Sequence, residues 1–214
     1  MVNAGSGDRV YQAIKARAVA FAFNPGKPIR LSPLASSLGV STTPIRAALN
    51  MLVAEGLVRR EPQKGFIAMS LSEERFYGLY SLNQLLLEAA LTARHPVSKL
   101  IDAATPVVAD VSDKLDSDEN CTPDEVASCT GELFLTLAGL SGNAHMVEAV
   151  ERVNDSLNFI RAFECQQSGA VRAELMTICD LFLAGQLDEA AKAIADYHAC
   201  RRTRTPELLA AYRQ

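Results

Sequence analysis

Two short runs of apolar residues at helical spacing lie near the start of the chain. The first, within residues 34–38, is followed by Gly39, a residue typical of a helix end. The second, within residues 45–53, follows Ser41, a typical N-cap, and Pro44, which suits a first helical turn because its missing N–H costs nothing there. The pattern predicts two short helices joined at Gly39, the second with one face committed to a core.

The other face of this second helix is polar. Its side chains donate or accept hydrogen bonds and carry little bulk: Thr42, Thr43, Arg46 and Asn50. Such a face can enter a groove of nucleic acid. Residues 57–60 and 66–68 then flank a Pro-Gln-Lys-Gly turn, and this arrangement predicts a small two-stranded hairpin, or wing.

From residue 71 onward the apolar pattern is helical throughout. Ser70 with Glu73, and Thr122 with Glu125, fit capping boxes, and Asp188 fits a cap. Residues 1–7 are predicted to be disordered, and helices are predicted from Asp8 to a stop at residues 24–26, then from the Ser70 cap to about 94, at 97–115 with a break or a kink near Pro106, and at 122–140, 144–163, 171–183, 188–202 and from Thr205. The predicted fold class is mainly α, an N-terminal winged helix-turn-helix with a β-hairpin wing followed by an all-α bundle of six or seven helices.

One predicted helix carries a long leucine-rich stripe, formed by Leu79, Leu82, Leu85, Leu86 and Ala89. The stripe suits either a dimer surface or the core of the bundle, and the pattern leaves both interpretations open.

Composition changes this picture through its distribution along the chain. With 214 residues, 49% of them hydrophobic, the chain can form two modest domains, predicted at residues 1–70 and 71–214. The first holds nine Lys or Arg and three acids, a net charge of +6, whereas the remainder has a net charge of −10. Surface charge differs between many pairs of domains, but a basic helix-turn-helix favours DNA as its partner.

Several other classes of protein are disfavoured. Five cysteines, an odd number with no C-x-x-C pair, indicate reduced structural thiols, with a redox sensor as the alternative. No apolar run approaches the length of a membrane span and no secretory segment opens the chain, so a soluble cytoplasmic protein is expected. An enzyme is not expected, because no nucleophile with a base, no Gly-rich phosphate loop and no paired carboxylates with His were found.

The first 70 residues resemble the GntR family of bacterial transcription regulators. The family signature is matched at Gly26, Ile29, Leu34, Ala35, residues 38–41, Pro44, Arg46, Ala48, Leu49, Leu52 and residues 56–58. The chain has Thr42 where the family commonly has Arg, and Ala47 where it commonly has an acid. The base preference of close relatives is therefore not assumed.

This resemblance implies a homodimer on a palindromic double-stranded DNA operator. Arg46 is the residue expected to contact guanine with two hydrogen bonds in the major groove. The start of the preceding helix would meet phosphates, and the wing tip would lie at the minor groove. The candidate DNA-binding residues are Arg30, Ser32, Ser41, Thr42, Thr43, Arg46, Asn50, Lys64 and Gly65.

Residues 133–146 and 174–199 resemble the FadR-type ligand-binding domain that follows many GntR winged helices. Many such domains hold a divalent metal with one Asp and three His, and bind a small carboxylate on it. Three of these ligand positions fall here on Thr130, Phe134 and Leu175, and only His198 remains. The resemblance therefore implies an effector domain without a metal cofactor.

Polar residues on otherwise apolar helices are the candidates for an effector site, namely Asn83, Asn158, Arg161, Tyr197 and His198. Each is equally explained as an ordinary buried polar residue. The preferred hypothesis is a regulator, in the family's common mode a repressor, released by a small organic acid or another metabolite. The alternative is a constitutive DNA-binding dimer whose helical domain only dimerises.

Overall fold

Nine helices and one hairpin form the part of the chain that the computed structural model describes, residues 6–92, 98–116 and 121–213. The chain divides into two units, Met1–Leu71 and Ser72–Gln214. The first holds three helices and the hairpin, and the second holds the other six helices. The predicted fold class is confirmed. No helix among the described residues is both long and apolar enough to cross a membrane.

The first unit has the element order of a winged helix-turn-helix. Its elements are α1 (Ser6–Val19), α2 (Leu31–Leu38), α3 (Thr42–Ala54), β1 (Val58–Glu61) and β2 (Gly65–Ala68). The two strands pair antiparallel, with Val58 opposite Ala68 and Glu61 opposite Gly65. The backbone N–H of Ile29 donates to the carbonyl of Phe66 at 2.8 Å, so the segment before α2 extends the sheet by a short bridge.

The core of this unit lies between α1 and α3. Ile14 on α1 and Ile45, Leu49 and Leu52 on α3 are fully buried, as the apolar spacing predicts. At the end of α3, the Tyr11 hydroxyl donates to Glu55 Oε1 at 2.6 Å, and Lys15 Nζ lies 3.2 Å from Glu55 Oε2. These contacts hold α1 on α3 and leave the opposite side of α3 uncovered within the unit.

The turn between α2 and α3 depends on Gly39. Its φ of 65° lies in the left-handed region, which glycine adopts without steric cost, and the N–H of Val40 donates to the carbonyl of Ala35 at 3.0 Å. Ser41 is the N-cap of α3, as predicted, but its side chain makes no capping hydrogen bond, so that part of the prediction is wrong. Because Ser41 is exposed, water can satisfy its hydroxyl and the first N–H groups of α3.

The second unit consists of helices. They are α4 (Glu73–Leu91), α5 (Ser98–Asp116), α6 (Pro123–Gly139), α7 (Ala144–Gln167), α8 (Ala170–Leu183) and α9 (Leu187–Tyr212). Leu87, Val108, Leu133, Leu175 and Ile178 are fully buried and belong to one core shared by α4, α5, α6 and α8.

Several predicted helix starts are wrong. The cap of α4 is Ser72, whose side chain accepts from the N–H of Arg75 at 3.4 Å, and not Ser70, because the helix begins two residues later than the capping-box pattern suggested. Asp188 lies inside the first turn of α9, after an N-cap at Gln186, where its charge still favours the helix N-terminus. Residues 6 and 7, predicted to be disordered, belong to α1.

Predicted helix ends differ as well. The first helix ends at Val19, before the Asn-Pro-Gly stop, and α7 runs to Gln167 rather than Phe163. Pro106 lies inside α5, so the chain does not break there, and the alternative of a kink stays a prediction. Pro206 lies inside α9, so the predicted separate terminal helix is wrong. The Tyr212 ring packs against Phe159 of α7, with ring centroids 5.2 Å apart, and this contact holds the last turn of α9 against the bundle despite the proline. The predicted end of α4 near Arg94, and His95, lie outside the described residues.

Part of the leucine-rich stripe of α4 lies away from the core. Leu85 is 65% exposed and Leu82 is 44% exposed, whereas the buried face of α4 carries Phe76, Tyr80 and Leu87. Leu82, Leu85 and Ala89 of the stripe are therefore at the surface of the second unit, whereas Leu79 is half-buried and Leu86 packs against the core.

The capping box that opens α6 generates a stability prediction. Thr122 Oγ1 accepts from the N–H of Glu125 at 3.3 Å, and the carboxylate of Glu125 accepts from the N–H of Thr122 at 2.7 Å. We expect Thr122→Ala to lower the free energy of unfolding of the second unit by about 1 kcal/mol, as measured by urea denaturation.

Thr177→Ala is the matched control. The Thr177 hydroxyl is exposed in the middle of α8 and bonds only to the carbonyl of Ala173. Its loss should change stability by less than about 0.5 kcal/mol. Equal losses in the two variants would contradict the capping interpretation.

Candidate nucleic-acid interface and buried polar cluster

The outer face of α3 is polar along its length. Thr42, Thr43, Arg46 and Asn50 are all exposed, and Ser41 precedes them at the exposed N-cap. Threonine and asparagine side chains can both donate and accept hydrogen bonds, while arginine donates from a planar fork. The structure therefore places these five candidates on or next to one accessible helix face.

Arg46 has all of its donors available. Among the described residues its guanidinium makes no hydrogen bond or ion pair, and its side chain is exposed one turn inside α3. A guanidinium in this position can give two parallel hydrogen bonds to one acceptor edge.

The start of α2 adds positive charge. Arg30 and Ser32 are exposed there, Arg30 as the N-cap residue and Ser32 in the first turn. An open hollow of about 480 Å³ beside them is lined by three cations, Arg17, Lys27 and Arg30. The free N–H groups of a helix N-terminus and these cations together suit a phosphate.

The wing carries its own counter-charge. Glu61 Oε1 lies 2.6 Å from Arg59 Nη2, and Glu61 Oε2 lies 3.0 Å from the Nζ of Lys64, a candidate DNA-binding residue. The hydrogen bond from Lys64 lowers the pKa of the Glu61 carboxyl, which therefore stays ionised. Gly65, with a φ of 79°, leaves open space beside its Cα, so another molecule can approach the backbone closely there.

Arg60 lies beside these candidates, although the sequence did not single it out. Its Nη1 donates to Asn50 Oδ1 at 3.4 Å, and its guanidinium lies 5.7 Å from the centroid of the Phe66 ring. This contact joins the wing strand to the last candidate on α3. Side chains alternate between the two faces of a strand, so the pattern along β1 could have indicated on which face Arg60 lies. The sequence-based prediction left that face unassigned.

A second group of candidates lies in the interior of the helical unit. We call it the buried polar cluster, defined as Tyr80, Asn83, Arg161, Tyr197, His198 and Arg201, all of which are 2% exposed or less. Four of the five predicted effector residues belong to it. Asn158 is half-buried, and no hydrogen bond joins it to the others.

His198 is neutral at the centre of this cluster. Its Nδ1–H donates to the carbonyl of Ile194 at 2.7 Å, which leaves Nε2 to accept from the Asn83 amide at 3.2 Å. Burial lowers the pKa of His198 to about 3, and the positive charges of Arg161 and Arg201 lower it further. Both ring nitrogens are therefore occupied.

Aromatic rings enclose the imidazole. Phe134 stacks on His198 with centroids 5.3 Å apart, and Tyr197 and Tyr80 approach it edge-on at 5.1 and 6.2 Å. The guanidinium of Arg161 lies 5.2 Å from the centroid of the same Phe134 ring. These contacts connect the cluster without a break from Tyr80 to Arg161.

The two arginines of the cluster differ in their partners. Arg201 donates from Nε to Glu164 at 3.2 Å and forms an ion pair with Glu174, so carboxylates balance its charge. Arg161 donates from Nη1 to the amide oxygen of Asn154 at 2.9 Å and has no carboxylate partner among the described residues.

Several buried polar atoms of the cluster have no hydrogen-bond partner among the described residues. They are the hydroxyls of Tyr80 and Tyr197, Asn83 Oδ1, Arg161 Nε and Nη2, and Arg201 Nη2. Sequence reasoning missed Tyr80 and Arg201. Their spacing was a usable signal, because Tyr80 lies three residues before Asn83, and Arg201 lies three residues after His198 on the same helical face.

The residues at the remaining family metal positions do not fit a divalent ion. Phe134 and Leu175 have no ligating atoms, and the Thr130 hydroxyl donates to the carbonyl of Val126 at 2.8 Å. In the described ranges no three His, Cys, Asp or Glu side chains come together in a group that could hold a metal.

The cysteines are unpaired thiols in the described chain. Burial raises the pKa of both Cys165 and Cys179 to about 12, so these thiols stay protonated at neutral pH. Burial also raises the pKa of Cys121 and Cys129. Since the thiolate is the reactive form, these four sites are poor candidates for a redox sensor.

Comparison with known proteins yields a family match in the first unit. A family model described as "Bacterial regulatory proteins, gntR family" matches residues 6–67, which include α1 and the helix-turn-helix and extend into β2. The Nta operon transcriptional regulator of Aminobacter aminovorans is 29% identical over 174 residues, covering 81% of this chain and 82% of that protein. The uncharacterized HTH-type transcriptional regulator YdhC of Bacillus subtilis (strain 168) is 31% identical over 158 residues, covering 71% of this chain and 67% of that protein.

A solved structure extends the similarity to both units. The putative transcriptional regulator GntR from Rhodococcus sp. RHA1 superposes with a TM-score of 0.72 at 17% identity, covering 94% of this chain and 97% of that chain. At this level of identity the match shows a shared fold.

The neutral state of His198 generates a pH prediction. A histidine in an unfolded chain titrates near pH 6.5, and the folded pKa is about 3, so the unfolded state binds more protons between these values. The free energy of unfolding should therefore fall as the pH drops below about 6.5. We expect this residue to account for a loss of about 1.4 kcal/mol between about pH 7.5 and 5.5, seen in urea titrations as the difference between wild type and His198→Gln.

A ring ¹⁵N spectrum of the wild-type protein checks the same point without a substitution. At about pH 5.5 the His198 ring should still show one protonated nitrogen, assigned to Nδ1. A doubly protonated ring at that pH would contradict the buried, neutral state.

Proposed function

The chain belongs to the gntR family of bacterial regulatory proteins, and from this premise we propose that it is a repressor that binds a palindromic operator as a homodimer and responds to a small-molecule effector. DNA binding and transcription regulation are the shared character of the family match and of the similar regulators. The observation that carries the proposal is the exposed polar face of α3, on which Arg46 keeps all of its donors available.

In this proposal α3 enters the major groove. Arg46 contacts guanine through two hydrogen bonds, and the side chains of Ser41, Thr42, Thr43 and Asn50 approach neighbouring base edges or phosphates. Arg60 supports this reading as a positioning residue, because it fixes the Asn50 amide from the wing.

Phosphate contacts then set the position of the unit on the duplex. Arg30, which lines the cationic hollow, and Ser32 in the first turn of α2 bind backbone phosphates, and Lys64 and Gly65 bring the wing tip to the minor groove. Such contacts supply affinity without sequence preference, whereas α3 supplies the preference.

The homodimer is supported by the exposed apolar side chains of α4. Tyr77, Leu82 and Leu85 are exposed large apolar side chains on this helix, and an open groove of about 420 Å³ lies beside Leu85 between α4 and α9. Exposed apolar patches of this kind favour association. Two copies with one helix-turn-helix each fit an operator of two half-sites.

The second unit acts in this proposal as a FadR-type effector domain without the family's divalent metal. The side chains at Thr130, Phe134 and Leu175 support the absence of the metal, because they offer no ligand set. The buried polar cluster favours effector binding over a domain that only dimerises, since dimerisation requires no unpaired polar atoms in the interior.

Arg46→Ala tests the proposal most directly. Loss of a bidentate contact to a base costs about 1–3 kcal/mol, so affinity for the native operator should fall by about five- to 150-fold in a gel-shift titration at fixed salt. Arg9→Ala removes an equal charge from an exposed position on α1 and should change affinity much less. An unchanged affinity of Arg46→Ala would reject the assignment of α3 as the recognition helix.

Glu61→Gln tests the wing. Glu61 neutralises both Arg59 and Lys64, and its removal frees these cations for phosphates. We expect operator affinity to rise severalfold, with a salt dependence steeper by about one or two released counterions. Asp8→Asn removes one negative charge elsewhere in the same unit. If both variants change affinity equally, net charge alone explains the effect and the wing has no specific role.

A further inference from the structure

The buried guanidinium of Arg161 lacks a counter-ion. This residue is 1% exposed, and its one hydrogen bond among the described residues goes to the neutral amide of Asn154. A buried charge without an opposite charge is strongly disfavoured, because desolvation removes its favourable interaction with water. Arg201, on α9, is by contrast balanced by the carboxylates of Glu164 and Glu174. The missing element at Arg161 is negative charge.

The free edge of Arg161 has the shape of a bidentate site. Nη1 bonds to Asn154, so Nε and Nη2 remain, and these two nitrogens form one side of the planar guanidinium. Two parallel N–H groups on one edge match the two oxygens of a carboxylate or of a phosphate group.

Two further donors belong to the same cluster. The hydroxyls of Tyr80 and Tyr197 are buried without partners, and both rings contact His198. Burial raises the pKa of both phenols, so each keeps its proton and can donate it in a hydrogen bond. The unpaired atoms are therefore mainly donors, complementary to an oxyanion.

We propose that the buried polar cluster binds a compact oxyanion directly, through the Nε–Nη2 edge of Arg161 and the hydroxyls of Tyr80 and Tyr197, with no metal ion. This inference rests on the proposed role of the second unit as an effector domain, and it names the ligand class and its anchor. The positive charge that a divalent ion would supply comes instead from a guanidinium. The shared chemistry is an anionic group with at least two acceptor oxygens, as in a carboxylic acid or a phosphorylated metabolite.

The test measures the thermal unfolding midpoint of the 214-residue chain at constant ionic strength, first without and then with EDTA. Phosphate and acetate are titrated separately against chloride as the reference anion. We expect at least one of them to raise the midpoint in a saturable manner. A response to phosphate alone assigns a phosphorylated ligand, and a response to acetate assigns a carboxylate. The proposal fails if neither anion exceeds chloride, or if the response disappears in EDTA.

Two variants on α7 locate the site. Arg161→Met removes the proposed anchor and should abolish the anion response, whereas Arg152→Met removes an exposed arginine from the same helix and should preserve it. An equal response in wild type and Arg161→Met would show that the anion binds elsewhere.

Tyrosine variants keep the test decisive if Arg161→Met does not fold. The hydroxyls of Tyr80 and Tyr197 have no partner in the described protein, so Tyr80→Phe and Tyr197→Phe should unfold at about the wild-type midpoint without added anion. Each should weaken anion binding by about tenfold, since a hydrogen bond to a charged group is lost. Tyr77→Phe, at an exposed position on α4, is the control. Wild-type anion affinity in both cluster variants would overturn the proposal.

A gel shift on the same preparations separates this inference from the proposed function. Operator binding that depends on Arg46, without any anion response, would overturn the inference and leave DNA binding intact. An anion response without operator binding would support the inference and overturn the proposed DNA binding.

Discussion

A polar group removed from water must find a partner or cost free energy, and the two units of this chain meet that constraint differently. In the first unit the buried face of α3 is apolar, and its hydrogen-bonding side chains all lie at the surface. In the second unit charged and polar side chains lie in the interior, where some are paired and some are not. The first arrangement leaves donors for an external surface, and the second leaves donors inside a fold.

Within the helical unit, the buried arginines differ in whether a carboxylate balances their charge. Arg201 and Arg204 share the carboxylate of Glu164, and this network joins α7 to α9. Removing one partner of such a network leaves an uncompensated buried charge, so these residues are constrained by stability. Among the described residues Arg161 has no carboxylate partner, so no ion-pair network explains its burial.

The helix-turn-helix and the wing were predictable from the sequence because each depends on local signals. Gly39, Ser41 and the apolar spacing of α3 determine these elements within a few residues of one another. Helix boundaries in the second unit were harder, since the contact between Tyr212 and Phe159 that holds α9 through Pro206 joins distant parts of the chain. The effector candidates were found by polarity alone. Their arrangement around His198 was not predictable, because it requires α4, α6, α7 and α9 to meet, and sequence spacing reports only neighbours on one helix.

The uninterrupted course of α9 has a structural consequence. Its 26 residues span about 39 Å at about 1.5 Å per residue, and His198 and Arg201 lie near its midpoint. Although Pro206 removes one backbone hydrogen bond, the helix continues past it, so α9 joins the buried polar cluster to contacts near both of its ends. One end lies beside α8 and the other rests on the aromatic rings of α7. The middle of the bundle is thus connected by a single helix to both of its extremities.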